Sequence, residues 1–143
     1  KAKENFWTFI KTSTLMLSER LSKKYWANIY LKREDLQAVR SYKIRWAFNL
    51  INSLTQQERD SGIVCASAWN HAQWVAITCS ELKIKLIYFS TSYVYPGKKG
   101  NYNELDTLLP WNNYAWSKLG GECAVQMYKN SLILRCALTE FPF

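Results

Sequence analysis

Leu15, Leu17 and Leu21 recur among the polar groups Ser18-Glu19-Arg20 and Ser22-Lys23-Lys24, a spacing that predicts a helix over 5–24. Ile29-Tyr30-Leu31-Lys32 predicts a short strand, ended by the charged turn Arg33-Glu34-Asp35. Ile44, Ala47, Phe48 and Ile51 fall on one face at the 3.6-residue period, so 41–54 reads as an amphipathic helix. Thr55-Gln56-Gln57-Glu58 has the form of a capping box opening a further turn. Gly62-Ile63-Val64-Cys65-Ala66 reads as a compact buried strand, and 70–82 as a helix leading away from it. Lys85 to Ser90 predicts the next strand, Pro96 to Asn103 a polar loop, the stretch after Pro110 to Tyr128 a helix, and Ser131 to Arg135 a closing strand. Strands alternating with helices are the pattern of an α/β fold with a parallel sheet.

Composition sets bounds on this picture. The chain has 143 residues, 48% of them hydrophobic, which suffices for the core of one ordinary domain. It contains no run of eighteen uncharged apolar residues, so no transmembrane helix is expected. Lys1 to Phe6 is too charged and too briefly apolar for a signal peptide, and the start on Lys1 rather than methionine suggests a truncated gene. Cys65, Cys79, Cys123 and Cys136 form no C-x-x-C pair and sit among apolar neighbours. They read as buried free thiols of a reducing compartment, which makes the expected location cytoplasmic. With His71 as the single histidine, no metal site is expected.

The net charge of +8 is uneven: Lys plus Arg against Asp plus Glu is 14 to 7 over residues 1–85 and 5 to 4 over 86–143. The basic residues are interspersed with acids, as in Lys32-Arg33-Glu34-Asp35, and lack the aromatic interleaving of a nucleic-acid platform. The expected partners are therefore small-molecule substrates, with no nucleic acid and no membrane. An oligomer stays open.

Three segments carry chemistry together: Ile29 to Gln37 with Lys32-Arg33-Glu34-Asp35, Ser41-Tyr42-Lys43-Ile44-Arg45-Trp46-Ala47, and Ala66-Ser67-Ala68-Trp69-Asn70-His71-Ala72-Gln73-Trp74-Val75-Ala76. In this order and at this spacing they resemble the threonine/serine dehydratase family of fold-type II pyridoxal-phosphate enzymes, whose pattern is K-R-E-D, then S-[FY]-K-x-R-G-A, then S-A-G-N-H-A-Q-G-V-A. Thr12 to Leu21 is similar to the family's opening segment, so the resemblance covers residues 1–85. It implies that Lys43 is the catalytic lysine that forms the internal Schiff base with the cofactor aldehyde. It implies that Ser67 grips the substrate carboxylate and that Asn70 hydrogen-bonds the cofactor ring hydroxyl. The implied reaction removes the Cα proton, expels the β-hydroxyl and releases a 2-oxo acid with ammonia. The family's glycine-rich phosphate-binding loop lies downstream, and no glycine-rich run follows Lys85 here.

From residue 86 the resemblance changes. Phe89-Ser90-Thr91-Ser92-Tyr93-Val94-Tyr95, followed by Pro110 to Glu122 with Tyr114-Ala115-Trp116-Ser117-Lys118, is similar to the extended short-chain dehydrogenase/reductases, in particular sugar-nucleotide epimerases and dehydrorhamnose reductases. Tyr114 and Lys118 form the Y-x-x-x-K pair. Positions i and i+4 share a helix face, so the ammonium can sit near the phenol, lower its pKa and make it a usable acid/base. Thr91 matches the Ser/Thr that hydrogen-bonds the reacting oxygen, and the implied cofactor is NAD(P). The G-x-x-G-x-x-G turn that cradles a dinucleotide pyrophosphate is absent from the sequence. The chain thus reads as α/β with parallel-sheet fragments: a pyridoxal-phosphate fold-type II piece over 1–85 and a Rossmann-like piece over 86–143, joined near 83–88.

One compositional oddity runs through both pieces. The chain has five glycines, where average usage of roughly 7% predicts about ten, and seven tryptophans. Trp26, Trp46, Trp69, Trp74 and Trp111 stand where the resembled segments carry glycine. Glycine at such turns permits positive φ and close backbone approach, and tryptophan permits neither. In a genetic code where UGA specifies glycine, reading UGA as tryptophan would generate this pattern.

Overall fold

The computed structural model describes residues 10–38 and 40–137. It divides into two compact units, Lys1–Asn52 and Ser53–Phe143.

In the first unit, β1 (Leu15–Leu17) pairs antiparallel with β2 (Tyr30–Lys32), with Leu15 opposite Lys32 and Leu17 opposite Tyr30. Between them lies α1 (Glu19–Tyr25), whose N-cap Ser18 accepts a hydrogen bond from the Leu21 amide. The helix expected over 5–24 is thus a strand followed by a short helix, with 1–9 lying outside the described residues. The leucines that mimic a helical stripe belong to two elements. Leu15 and Leu17 follow the two-residue strand period, and Ser18 starts the helical period that Leu21 continues. The β2 strand likewise joins this antiparallel hairpin rather than a parallel sheet.

The charged turn is a 3-10 turn, Glu34–Leu36. Next comes α2 (Lys43–Asn52), which buries Ile44, Ala47, Phe48 and Ile51, the four residues on the expected face. Each larger side chain of that face contributes about 1.5–3 kcal/mol on burial.

In the second unit, α3 (Gln56–Ser61) opens with the expected capping box: the Thr55 hydroxyl accepts from the Glu58 amide, and the Glu58 carboxylate accepts from the Thr55 amide at 2.7 Å. Gly62 follows at φ 87, where a Cβ would lie 3.1 Å from the Lys85 carbonyl oxygen, so the turn into β3 (Ile63–Cys65) requires glycine. Then come α4 (Trp69–Leu82), β4 (Leu86–Thr91), α5 (Asn113–Gln126, N-capped by Asn112) and β5 (Ser131–Cys136). The sheet order is β3-β4-β5, all parallel, with Ile63 opposite Leu86 and Leu86 opposite Ser131. The helices α4 and α5 pack on each other and on the sheet.

The core is built on the central strand, with Leu86 and Tyr88 fully buried beside Cys79, Val94 and Val125. The strand at 63–65 is only partly buried, because it is the sheet edge: Cys65 is inside while Val64 is 62% exposed. The four thiols are free, but Cys123 is exposed and Cys136 half-buried, since the apolar run around each does not fix which side of the element it takes. No helix among the described residues is long and apolar enough to cross a membrane.

Candidate functional site

Lys43 is the first residue of α2, half-buried, with Ser41 accepting from its amide. Two residues on, Arg45 reaches back to the charged turn. Its guanidinium donates to both oxygens of Glu34 at 3.0 and 3.1 Å and to the Lys11 carbonyl at 3.0 Å. Glu34 also accepts from the Ser13 hydroxyl at 2.7 Å. Burial pushes the Glu34 carboxyl upward, but the bonds from Arg45 and Ser13 outweigh it and hold the group below its ordinary value. The sequence reading treated Glu34 as part of a strand-ending turn. In the fold, this ion pair fastens the Lys32–Asp35 turn to the helix that starts at Lys43. The signal lay in the sequence, as an acid and a base in adjacent motifs, but their spacing is not that of a helix pair.

In the second unit, Ser67 lies in the turn between β3 and α4 and is half-buried, while Asn70 stands exposed in the first turn of α4. Ala68 at the N-cap supplies no side-chain bond, so the first-turn amides of this fourteen-residue helix have no hydroxyl or carboxylate cap. Such a terminus favours an anion. A hydroxyl, a carboxamide and uncapped amides form a donor set suited to a carboxylate or a phosphorylated pyridine ring.

The Lys118 side chain approaches the same turn from α5. Its ammonium donates to the Ala66 carbonyl at 2.9 Å and to the Phe89 carbonyl, and lies 4.5 Å from the centre of the Tyr88 ring. It is only 3% exposed, and burial lowers its pKa from the ordinary lysine value, opposed by Cys65 and Glu122. Tyr88 donates to the Ser67 carbonyl at 2.9 Å, so two side chains from beyond residue 86 hold the 66–67 backbone.

Tyr114 is 54% exposed, and its ring meets Tyr93 edge-on at 6.5 Å. The i and i+4 spacing places Tyr114 and Lys118 on one helix side as expected, yet the Lys118 ammonium is turned inward to the two strand-end carbonyls. Thr91 is buried, and its hydroxyl accepts from the Tyr93 amide at 3.3 Å, capping the turn Ser92–Val94. Tyr93 also meets Trp111 at 5.3 Å, and both line an open cleft of about 590 Å³ with Tyr95 and Tyr102.

Comparison with known proteins follows the first constellation most closely. The family described as pyridoxal-phosphate dependent enzyme matches residues 7–107. The biosynthetic L-threonine dehydratase IlvA of Staphylococcus epidermidis is 51% identical over 80 residues, covering 56% of this chain and 19% of that protein. The chain therefore spans about a fifth of that relative's length. Among solved structures, the processed form of threonine deaminase isoform 2 from Solanum lycopersicum superposes with a TM-score of 0.63 at 28% identity, covering 89% of this chain and 31% of that one. A hypothetical dTDP-4-dehydrorhamnose reductase of Sulfolobus tokodaii superposes at 0.53 with 27% identity, covering 64% of this chain and 38% of that one. On the match over residues 7–107, the chain belongs to the pyridoxal-phosphate dependent enzyme family.

Proposed function

We propose that this chain is a fragment of a pyridoxal-phosphate-dependent ammonia-lyase acting on a hydroxy amino acid such as threonine or serine. The observation that carries the reading is the 51% identity over 80 residues to a threonine dehydratase, and Lys43, Ser67 and Asn70 fall inside the family match over residues 7–107. In this reading Lys43 holds the cofactor through its amine and is the base at the Cα proton once the amine is free. Ser67 orients the substrate carboxylate through its hydroxyl, assisted by the uncapped amides of α4. Asn70 bonds the ring hydroxyl. When bound, the cofactor supplies the electron sink that lets a Cα proton leave. The β-hydroxyl then departs, and a 2-oxo acid and ammonia are released.

The test is an absorbance titration with pyridoxal phosphate. Wild-type chain should develop a visible-range band that Lys43→Ala lacks. A band of equal strength in Lys43→Ala would refute the assignment.

The second piece supports a reading of its own. Residues 86–143 resemble the catalytic stretch of an NAD(P)-dependent sugar-nucleotide epimerase or reductase, with Tyr114 as acid/base paired with Lys118 and Thr91 as the hydroxyl that hydrogen-bonds the reacting oxygen. It is favoured by the exposed Tyr114 phenol beside the aromatic cleft. We read the join near 83–88 as the meeting of these pieces. β3 precedes it, β4 begins within it, and the two strands pair in parallel. Fluorescence titration with NADPH tests this reading, and we expect no binding without the missing dinucleotide-binding turn.

A further inference from the structure

We infer that Trp26 and Trp69 occupy backbone positions built for glycine, that the indole of Trp74 is misplaced in its helix, and that the protein as made in its own cells carries glycine at all three. The composition raises the question, with five glycines and seven tryptophans in 143 residues. The backbone answers it. Five non-glycine residues among those described have positive φ, and two are tryptophans: Trp26 at 52° and Trp69 at 21°. A bulky side chain in this region is a steric outlier, whereas glycine enters it freely.

Trp26 ends α1 in the left-handed conformation, its amide bonded to the Ser22 carbonyl, the form of helix end that glycine most often takes. Its side chain is 96% exposed, so the indole gains no packing to offset the strain. Trp69 opens α4 half-exposed, with its ring over Gly120, where even a Cβ would lie 2.6 Å from the indole Cε3. Trp74 fails in another way. It is 1% exposed in the middle of α4, and its indole nitrogen has no hydrogen-bond partner. A buried indole N–H normally finds one, and an orphaned donor carries its full desolvation cost. Trp46 and Trp111 show neither mark and are left out of the inference.

The inference concerns the backbone and the residue identity, so it stands whether or not the chain binds pyridoxal phosphate. Comparing glycine with alanine removes the indole equally in both variants and reads φ alone. We expect Trp26→Gly to melt about 2–6 °C above Trp26→Ala, and Trp69→Gly above Trp69→Ala by a similar margin. At Trp116, inside α5 on ordinary helical backbone, the order should reverse. Alanine variants at 26 and 69 that melt as high as the glycine variants would overturn the backbone argument. Peptide mass spectrometry of the protein purified from its source cells requires no folded recombinant chain. Peptides spanning 26, 69 and 74 should carry the glycine mass, and the tryptophan mass at these positions would overturn the inference.

Discussion

The Lys118 ammonium donates to the Ala66 carbonyl at 2.9 Å, one residue before Ser67, and to the Phe89 carbonyl near the end of β4. A side chain of α5 thereby closes the carboxyl ends of two adjacent parallel strands. In open α/β sheets this crevice is where ligands bind. The fold has thus placed a buried cation at the turn that carries the proposed substrate-gripping hydroxyl.

Removing that cation should be costly. Lys118→Met leaves both carbonyls without their donor and is expected to lower unfolding stability by about 1–3 kcal/mol. Urea denaturation reads this directly, and an unchanged midpoint would show that the contacts contribute nothing.

Gly121 sets how closely α5 approaches the sheet. A Cβ there would overlap the Tyr88 hydroxyl and lie 2.8 Å from Cζ, and Tyr88 is wholly buried. Gly121→Ala should therefore destabilise by about 1–3 kcal/mol through overpacking. Adding Tyr88→Phe should recover part of the loss, because it removes the overlapped oxygen. A neutral Gly121→Ala would contradict the packing described.

Glu122 and Arg135 form an ion pair at 2.8 Å with side chains 3% and 20% exposed, and Arg135 also donates to the Tyr95 hydroxyl at 2.8 Å. The bond from Glu122 and burial act in opposite directions on the guanidinium, and its pKa ends above the ordinary value. Glu122→Ala strands a largely buried cation and should lower stability by about 3 kcal/mol. The double variant Glu122→Ala with Arg135→Met should lose less than the single change.

Alkaline pH should weaken the fold. Burial pushes the Cys79 thiol up to about 12 from its ordinary 9.0 and raises Cys65 and Tyr88 as well. Between the ordinary and the raised values the folded state holds protons that the unfolded chain has released, so stability falls as pH rises. Lys118 acts with the opposite sign. Its lowered pKa makes the unfolded chain the greater proton binder below 10.5, which favours folding as pH rises. The three acids outnumber the one base, so the urea midpoint should drop as pH rises from about 9 to about 11, the thiols acting first and Tyr88 above about 10. Cys79→Ala should flatten that drop, and an unaltered slope would contradict the thiol's part in it.

Several regular elements were readable because each has one dominant signal. The buried stripe Ile44–Ile51 of α2 in the first unit, the Thr55–Glu58 box and the strands at 86–91 and 131–136 follow from period and capping alone. The strand at 15–17 was hidden because three residues are too few to display a period of their own beside a helix. Exposure of Val64 depends on which strand is the edge, and sheet order is a long-range property. The site was legible as a set of residue types but not as contacts. Spacing put Lys118 and Tyr114 on one side of α5, yet only the fold shows that the lysine reaches Ala66 and Phe89. The Glu34–Arg45 pair offered an acid and a base in adjacent motifs, but eleven residues of separation gave no helix or strand spacing to join them.

The account depends on the Lys43 amine being the group that takes the cofactor. Incubation with pyridoxal phosphate, borohydride reduction and peptide mapping locate the attachment residue by residue. The account predicts the pyridoxyl mass on the peptide containing Lys43, at low stoichiometry elsewhere. Label spread evenly over the exposed lysines, with Lys43 unmodified, would contradict it.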